Sequence, residues 1–405
     1  MSWEKVKLGD VSANIQTGPF GSQLHQYDYS ETGTPVVMPK DLIGGRISEQ
    51  SIARVCQDHV QRLNRHIIQK GDILYSRRGD IGRCAFATDH ETGWLCGTGC
   101  LRVTTNTTIA DSKFVFYQLQ QPEVVGWVEK HAVGATMLNL NTTILSNIPL
   151  LLPPIETQHR IADILSAYDD LIENNRKQIK LLEEAAQRLY KEWFVDLRFP
   201  GHEHTKIVDG VPEGWKPCTL DDVIEFDPKV RLDKDRVKQF VPMSALSTSS
   251  MVLDINEIIE TKSNSGSKFQ NGDTLLARIT PCLENGKTAF VYGLESDEGA
   301  VGSTEYIVMR SKRLNPYMVY LLSRTSVFRQ AAINSMSGSD GRQRVKADKL
   351  KALAYLLAPT GLIHSFERIA SPMFEMIFEL NKQIFATTEA RDRLLPKLMS
   401  GEVEV

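Results

Sequence analysis

Residues 161–193 read IADILSAYDDLIENNRKQIKLLEEAAQRLYKEW, and residues 366–398 read FERIASPMFEMIFELNKQIFATTEARDRLLPKL. In the first stretch Ile161, Leu165, Tyr168, Ile172, Asn175, Ile179, Leu182, Ala186, Leu189 and Trp193 follow one another at spacings that alternate four and three. An α-helix brings such positions onto one stripe, and a stripe held in phase this long is the pattern of a coiled-coil seam. Adding 205 to each number gives Phe366, Ala370, Met373, Ile377, Leu380, Ile384, Thr387, Arg391, Leu394 and Leu398. The second stripe is weaker at Thr387 and Arg391 but keeps its phase. Between the seam positions Glu173, Arg176, Lys177, Lys180 and Glu183 read as a solvated face. Asn175 sits on the stripe. Buried, it fixes register at some cost in stability; if the stripe drifts, it faces solvent.

Pro153-Pro154 and Pro359 stand just before the two stretches, where proline is compatible with a helix start. Each helix is expected to run about 40 residues, or about 60 Å at 1.5 Å per residue. A lone helix of that length exposes its seam to water. Two copies in one chain can cover each other, which predicts an intramolecular antiparallel coiled coil.

The repeat extends beyond the helices. Leu145 in LSNIPLLLPP matches Leu350 in LKALAYLLAP, Pro154 matches Pro359, KQI at 177–179 matches 382–384, and Arg188-Leu189 matches Arg393-Leu394. Upstream the match loosens. Gly97-Thr98 corresponds to Gly302-Ser303, Gly71-Asp72 to Gly272-Asp273 four residues out of phase, and Trp3 to Trp215 at another offset. These divergent parts hold short β-rich runs such as GDILYSRRGD, CLRVTT, GDTLLARI and EYIVMRS, broken by glycines. Each also holds a helix-like stretch, at 112–121 and 315–332. The expected fold class is α+β: two globular heads, 1–152 and 201–357, and two helical spacers, 153–200 and 358–405, in a pseudo-twofold internal repeat.

The 405 residues, 41% hydrophobic and 24% charged, are enough to bury cores in two or three domains. No run is apolar enough to span a bilayer, and MSWEKVKLGD at the N-terminus is not a signal peptide. Six scattered cysteines do not form a disulfide framework, so a cytoplasmic protein is expected. A net charge of −3 decides nothing about nucleic acid, which responds to local patches.

At this point the chain resembles the specificity subunits of type I restriction–modification systems over essentially its whole length. GPFGSQLHQYDYSETGTPVVMPKDL (18–42) and KGDILYSRRGDIGRCAF (70–86) are similar to that family's first recognition domain. Residues 149–194 look like its central helix, and SGSDGRQRV (337–345) and PKLMSGEVEV (396–405) like the second half of the scheme. The resemblance implies a noncatalytic subunit with two target-recognition domains on double-stranded DNA. It implies two modification subunits that methylate adenine as partners, and restriction subunits in the full complex. Each domain reads one half of a bipartite target while the helices set the gap. No membrane, metal or cofactor is expected.

Catalytic motifs are missing from the sequence. No glycine-rich cofactor loop or Asn-Pro-Pro-aromatic tetrapeptide of an adenine methyltransferase is present, and Gly286-Lys287-Thr288 fails as a phosphate loop because Pro281 stands where the earlier glycine belongs. Glu225, Asp227 and Lys229 lack the further acid of a nuclease site, and Cys96 and Cys100 lack a second ligand pair at zinc spacing. His159 reads as a junction residue.

Arginine and lysine suit phosphates and guanine, whereas asparagine and glutamine suit adenine. In the first head the candidates for DNA contact are Gln23, His25, Lys40, Arg77, Arg78 and Arg83. In the second they are Arg278, Lys287, Arg342, Gln343, Arg344 and Lys346. Arg342 and Arg344 could instead pair internally with Asp340 or Asp348. Two rival readings remain: a stand-alone nucleic-acid enzyme, which should turn over when pure, and a coiled-coil scaffold with two protein-binding heads, which should show no salt-dependent DNA affinity, whereas a phosphate-contacting reader weakens steeply with salt.

Overall fold

A computed structural model describes residues 3–134, 138–295, 299–339 and 341–405. The chain forms two compact units, Met1–Leu171 with Ala386–Val405, and Ile172–Phe385. Asp340, one of the acids considered as an arginine partner, lies outside the described residues.

In the first unit an antiparallel sheet has the order Ser12–Thr17, Cys100–Thr105, Ile73–Ser76, Cys84–Phe86. Ile73–Ser76 is buried at all four positions, as a strand covered on both faces must be. A second small sheet joins Leu95–Cys96, Thr34–Val37, Ala53–Val55 and Tyr29–Ser30. Glu4–Lys7 pairs antiparallel with Pro149–Leu152 and so ties the start of the head to its end. Helix Ser112–Leu119 begins at Asp111, whose carboxylate accepts from Phe114 N at 2.8 Å, and helix Pro122–His131 begins on a proline.

The second unit repeats this plan. Its main sheet runs Ile224–Phe226, Tyr306–Ser311, Thr274–Ala277, Thr288–Phe290, and its closing pair is Lys216–Thr219 with Ala354–Leu357. Helices Pro316–Arg324 and Ser326–Asn334 take the places of 112–119 and 122–131. The Gly-Asp pair noticed in both sequence halves is one device used twice. Asp72 and Asp273 are each 1% exposed. Each accepts from the backbone N–H three residues earlier, Gln69 and Gln270, at 2.8 Å. Each also faces an arginine on the neighbouring strand: Arg102 at 3.6 Å, and Arg310 with two 2.7 Å hydrogen bonds.

The long helices span Ile155–Tyr190, 36 residues, and Thr360–Ser400, 41 residues. Pro372 and Pro396 fall inside the second helix on exposed positions, where water can satisfy the carbonyls they leave unpaired. In the second unit Tyr190 and Trp193 pack on Phe366 with ring centroids 6.1 and 6.0 Å apart. Further along, Asn175 Nδ2 donates to Gln383 Oε1 at 3.3 Å. In the first unit Asp169 Oδ1 accepts from Arg391 Nη1 at 2.6 Å, and Ile161 and Leu165 share a core with Leu398 and Met399. Rising numbers on one helix meet falling numbers on the other within each unit, so the paired segments run antiparallel.

Ile161, Leu165, Ile172, Asn175 and Ile179 are buried, Leu182 and Leu189 half-buried. On the second helix Phe366, Ile377, Leu380 and Leu398 are buried, while Met373, Ile384 and Leu394 are half-buried. Each fully buried apolar side chain among these contributes roughly 1.5–3 kcal/mol relative to leaving it exposed. Glu183 departs from the solvated face assigned to it: it is 8% exposed. The 247–251 loop of the second head lies on this part of the helix, and the Glu183 carboxylate accepts from Ser250 Oγ at 2.9 Å and Met251 N at 2.7 Å.

Candidate nucleic-acid interface

In the first head the buried strand Ile73–Ser76 emerges into Arg77, Arg78 and Gly79. Gly79 has φ +78°, a left-handed turn that glycine adopts without strain. Arg77 N donates to Gly99 O at 2.8 Å, Leu140 N donates to Arg77 O at 2.9 Å, and Arg77 Nε donates to Leu140 O at 3.2 Å. The Arg77 guanidinium lies 5.8 Å from the centroid of the Phe20 ring. Three segments therefore meet at one edge: the GPFGS loop, the Arg77-Arg78 turn and the segment around Asn139, which bridges Arg78. Partial burial and the neighbouring Arg78 charge lower the Arg77 pKa from its ordinary value. Phe20 is 53% exposed, and Arg78 is exposed.

Gln23 belongs to this edge through its side-chain oxygen, which accepts from Phe20 N at 3.1 Å and closes the loop. Arg83, exposed, pairs with Asp80 just beyond the turn. His25 and Lys40 make their contacts elsewhere. His25 stacks on Tyr27 with centroids 4.9 Å apart and lies 3.6 Å from Asp28, which also faces His59 and Arg62. The hydrogen bond from His25 N, with the nearby cations, lowers the Asp28 pKa. Lys40 Nζ donates to Ser51 O at 2.7 Å.

The second head builds the same edge with different side chains. Arg278 N donates to Glu305 O at 2.9 Å, and Val345 N donates to Arg278 O at 3.0 Å. Thr280 N donates to Gln343 O at 3.1 Å, so Arg278 and the 337–345 loop are adjacent although 60 residues apart in sequence. Ser337 and Arg344 exchange backbone hydrogen bonds of 3.0 and 2.9 Å across the loop. Arg344 Nη2 donates to Glu305 Oε1 at 2.7 Å, and Nε donates to both carboxylate oxygens at 3.0 and 2.9 Å. These bonds hold the Glu305 carboxyl below the ordinary glutamate value. Arg344 is thus bound by Glu305, while Asp348 pairs with Lys351 at 3.0 Å. Arg342 and Lys346 are exposed. Lys287 is half-buried, with Nζ donating to Met243 O at 2.8 Å.

Three participants were not singled out from sequence: Phe20, Glu305 and Asn139. The 205-residue offset contained the signal for the last, since it sets Asn139 against Arg344 and Leu140 against Val345. Glu305 is a lone acid after a glycine turn, and only the folded strand order places it beside Arg344.

The remaining chemistry-bearing residues are engaged in structure. Cys96 and Cys100 are buried, and burial pushes the Cys96 thiol up to about 12. Asp227 Oδ1 accepts from Val308 N at 3.0 Å. His159 is exposed, 3.8 Å from Asp111. Among the described residues no cluster of His, Cys, Asp and Glu could hold a metal ion, and no helix is long and apolar enough to cross a membrane.

The type I restriction modification DNA specificity domain matches residues 1–184. Across the whole chain the sequence is 25% identical to the type I restriction enzyme MjaIX specificity subunit of Methanocaldococcus jannaschii, covering 94% of that protein. Along its whole length the chain is thus similar to a type I restriction enzyme specificity subunit. The HindI specificity subunit of Haemophilus influenzae is 24% identical, with 99% of each chain covered. The crystal structure of a type I restriction–modification S subunit from M. genitalium has the same fold, at a TM-score of 0.60 and 16% identity over 98% of this chain and 96% of that one. The two α+β heads and the long helices make up the fold shared with that solved structure, and the duplicated edge lies on those heads.

Proposed function

We propose that the chain is the noncatalytic DNA reader of a type I restriction–modification complex. Its recognition domains are 1–152 and 201–357, and its helical spacers are 153–200 and 358–405. Each head takes one half of a bipartite duplex target. The helices set the unspecified gap, and the whole positions two adenine-methylating modification subunits and, in the full complex, restriction subunits in the cytoplasm.

One observation carries this reading. The same strand exit, Arg77 in one head and Arg278 in the other, is braced by the same backbone hydrogen bonds and surrounded by different side chains. A shared frame fixes where the duplex sits, and the divergent side chains read different bases. A DNA enzyme needs a catalytic cluster, and a protein scaffold has no need of arginines repeated at equivalent turns.

The test is to co-express the chain with its modification subunit in a methylation-free host and map methyladenine across the genome. A bipartite motif with a fixed gap, present only with this chain, is the expected result. A stable complex that leaves the genome unmethylated at any bipartite motif overturns the reading.

A further inference from the structure

Glu305 is an acid in the middle of a basic edge. Phosphates repel a carboxylate, so at a DNA-facing position it is useful only if something on the duplex donates to it. Its neighbour narrows the choice. Arg344 turns Nε and one side of Nη2 toward Glu305. An arginine has five N–H groups, so the outer end of the fork, Nη1 and the second Nη2 hydrogen, stays available. Among the described residues Nη1 otherwise makes only a 3.4 Å contact to Arg342 O. Glu305 likewise keeps lone pairs after accepting from Arg344. The side chains are 41% and 25% exposed, so both can be reached.

Side by side, the pair offers two donors and then an acceptor. The major-groove edge of a G·C pair offers two acceptors, guanine N7 and O6, and then a donor, the cytosine N4 amino group. An A·T pair presents acceptor, donor, acceptor, which opposes a donor to the second arginine N–H. We infer that Arg344 and Glu305 together read one G·C base pair in the half-site taken by the second head, Arg344 donating to guanine and Glu305 accepting from cytosine. This rests on the reading of the chain as a bipartite DNA reader.

Two features support the assignment. Both backbones are pinned, Glu305 O by Arg278 N and Arg344 by its exchange with Ser337, so little freedom is lost on binding. In the first head the equivalent positions are Gly99, whose carbonyl accepts from Arg77 N, and Asn139, which bridges Arg78 as Arg344 bridges Ile279. The frame is retained there and the donor–donor–acceptor set is not, which is what two unlike half-sites require.

The experiment uses the complex of the full chain with its modification subunit, after the wild-type motif has been mapped. Duplexes carrying each base-pair substitution in both half-sites are titrated against wild type, Glu305→Ala, Arg344→Ala and the shape-preserving Glu305→Gln. For wild type, replacing one G·C pair in a single half-site should weaken binding roughly 5- to 150-fold. Both alanine variants should lose that discrimination at the same pair, and Glu305→Gln should keep part of it. Unchanged discrimination across the other half-site reports an intact fold. Variants that weaken every duplex equally while keeping the wild-type profile overturn the inference, as does a target with no G·C pair in the affected half-site. A wild-type complex without any bipartite motif overturns the DNA-reader reading itself, and the inference with it.

Discussion

Glu183 is a carboxylate withdrawn from water on a helix otherwise faced with solvated charge. Its burial raises its pKa above the ordinary value of 4.5, against the lowering effect of the hydrogen bonds from Met251 N and Ser250 Oγ. An acid whose folded pKa is raised binds its proton more tightly in the fold than in the unfolded chain. Its contribution is therefore most favourable below 4.5 and is lost as pH rises through the raised folded value. Glu183→Gln keeps an acceptor without a charge. It should gain stability relative to wild type as pH rises from 4.5 toward neutrality, read as a widening gap in denaturation midpoints. Glu183→Ala leaves the buried Met251 N–H unpaired and should cost about 1–3 kcal/mol at pH 7. Equal midpoints for all three chains sink the anchoring role. Charge alone misled the sequence reading here, since a glutamate between seam positions is ordinarily solvated and nothing local announces a loop from 67 residues away. The candidate DNA edge was partly legible for the same reason. Arg77, Arg78, Arg278 and Arg344 stand out by type and turn context, but Glu305 acquires its meaning only when strand order sets it beside Arg344.

At the scale of elements the sequence was most informative where a period had to be kept. Ten seam positions in each of the two sequence stretches impose a constraint that a chance polar surface does not satisfy, and a 205-residue repeat tells a duplicated fold from two unrelated domains. The small sheets were less legible. Their strands are two to six residues long, too short for alternation to specify partners, and pairs such as Leu95–Cys96 with Thr34–Val37 close over nearly 60 residues. Within the helix pair Asn175 is the polar exception, 2% exposed and bonded to Gln383. A polar group in an apolar seam lowers stability, yet it penalises every register in which it meets a hydrocarbon. Asn175→Leu should therefore raise the unfolding midpoint while broadening the helix pairing into more than one register. Cysteines placed at one matched pair of seam positions and one pair offset by a heptad can read this by disulfide trapping. Wild type should cross-link only the matched pair and the leucine variant both. A single register in the variant removes the specificity role from Asn175.

For the whole molecule, the proposed division of labour makes recognition and spacing separable. The side chains that read bases belong to the heads, and the gap belongs to the helices, so a change confined to the helices should alter the gap alone. A heptad preserves the seam, because seven residues return the stripe to nearly the same face of the helix, with a drift of about 20°. Inserted as a matched pair between seam positions of Ile155–Tyr190 and Thr360–Ser400, it keeps antiparallel partners opposite one another. Seven residues add about 10 Å of helix, and at about 3.4 Å per base pair this corresponds to roughly three more base pairs in the gap. Three base pairs also rotate one half-site by roughly 100° about the duplex, so affinity should fall even at the new optimum. Methylation mapping of the lengthened chain with its modification subunit should return both half-sites unchanged, separated by the longer gap. An unaltered gap would mean that the modification subunits or the DNA itself set the distance. A change in either half-site would mean that the helices orient the heads on their bases, so that the gap and the reading are one property rather than two.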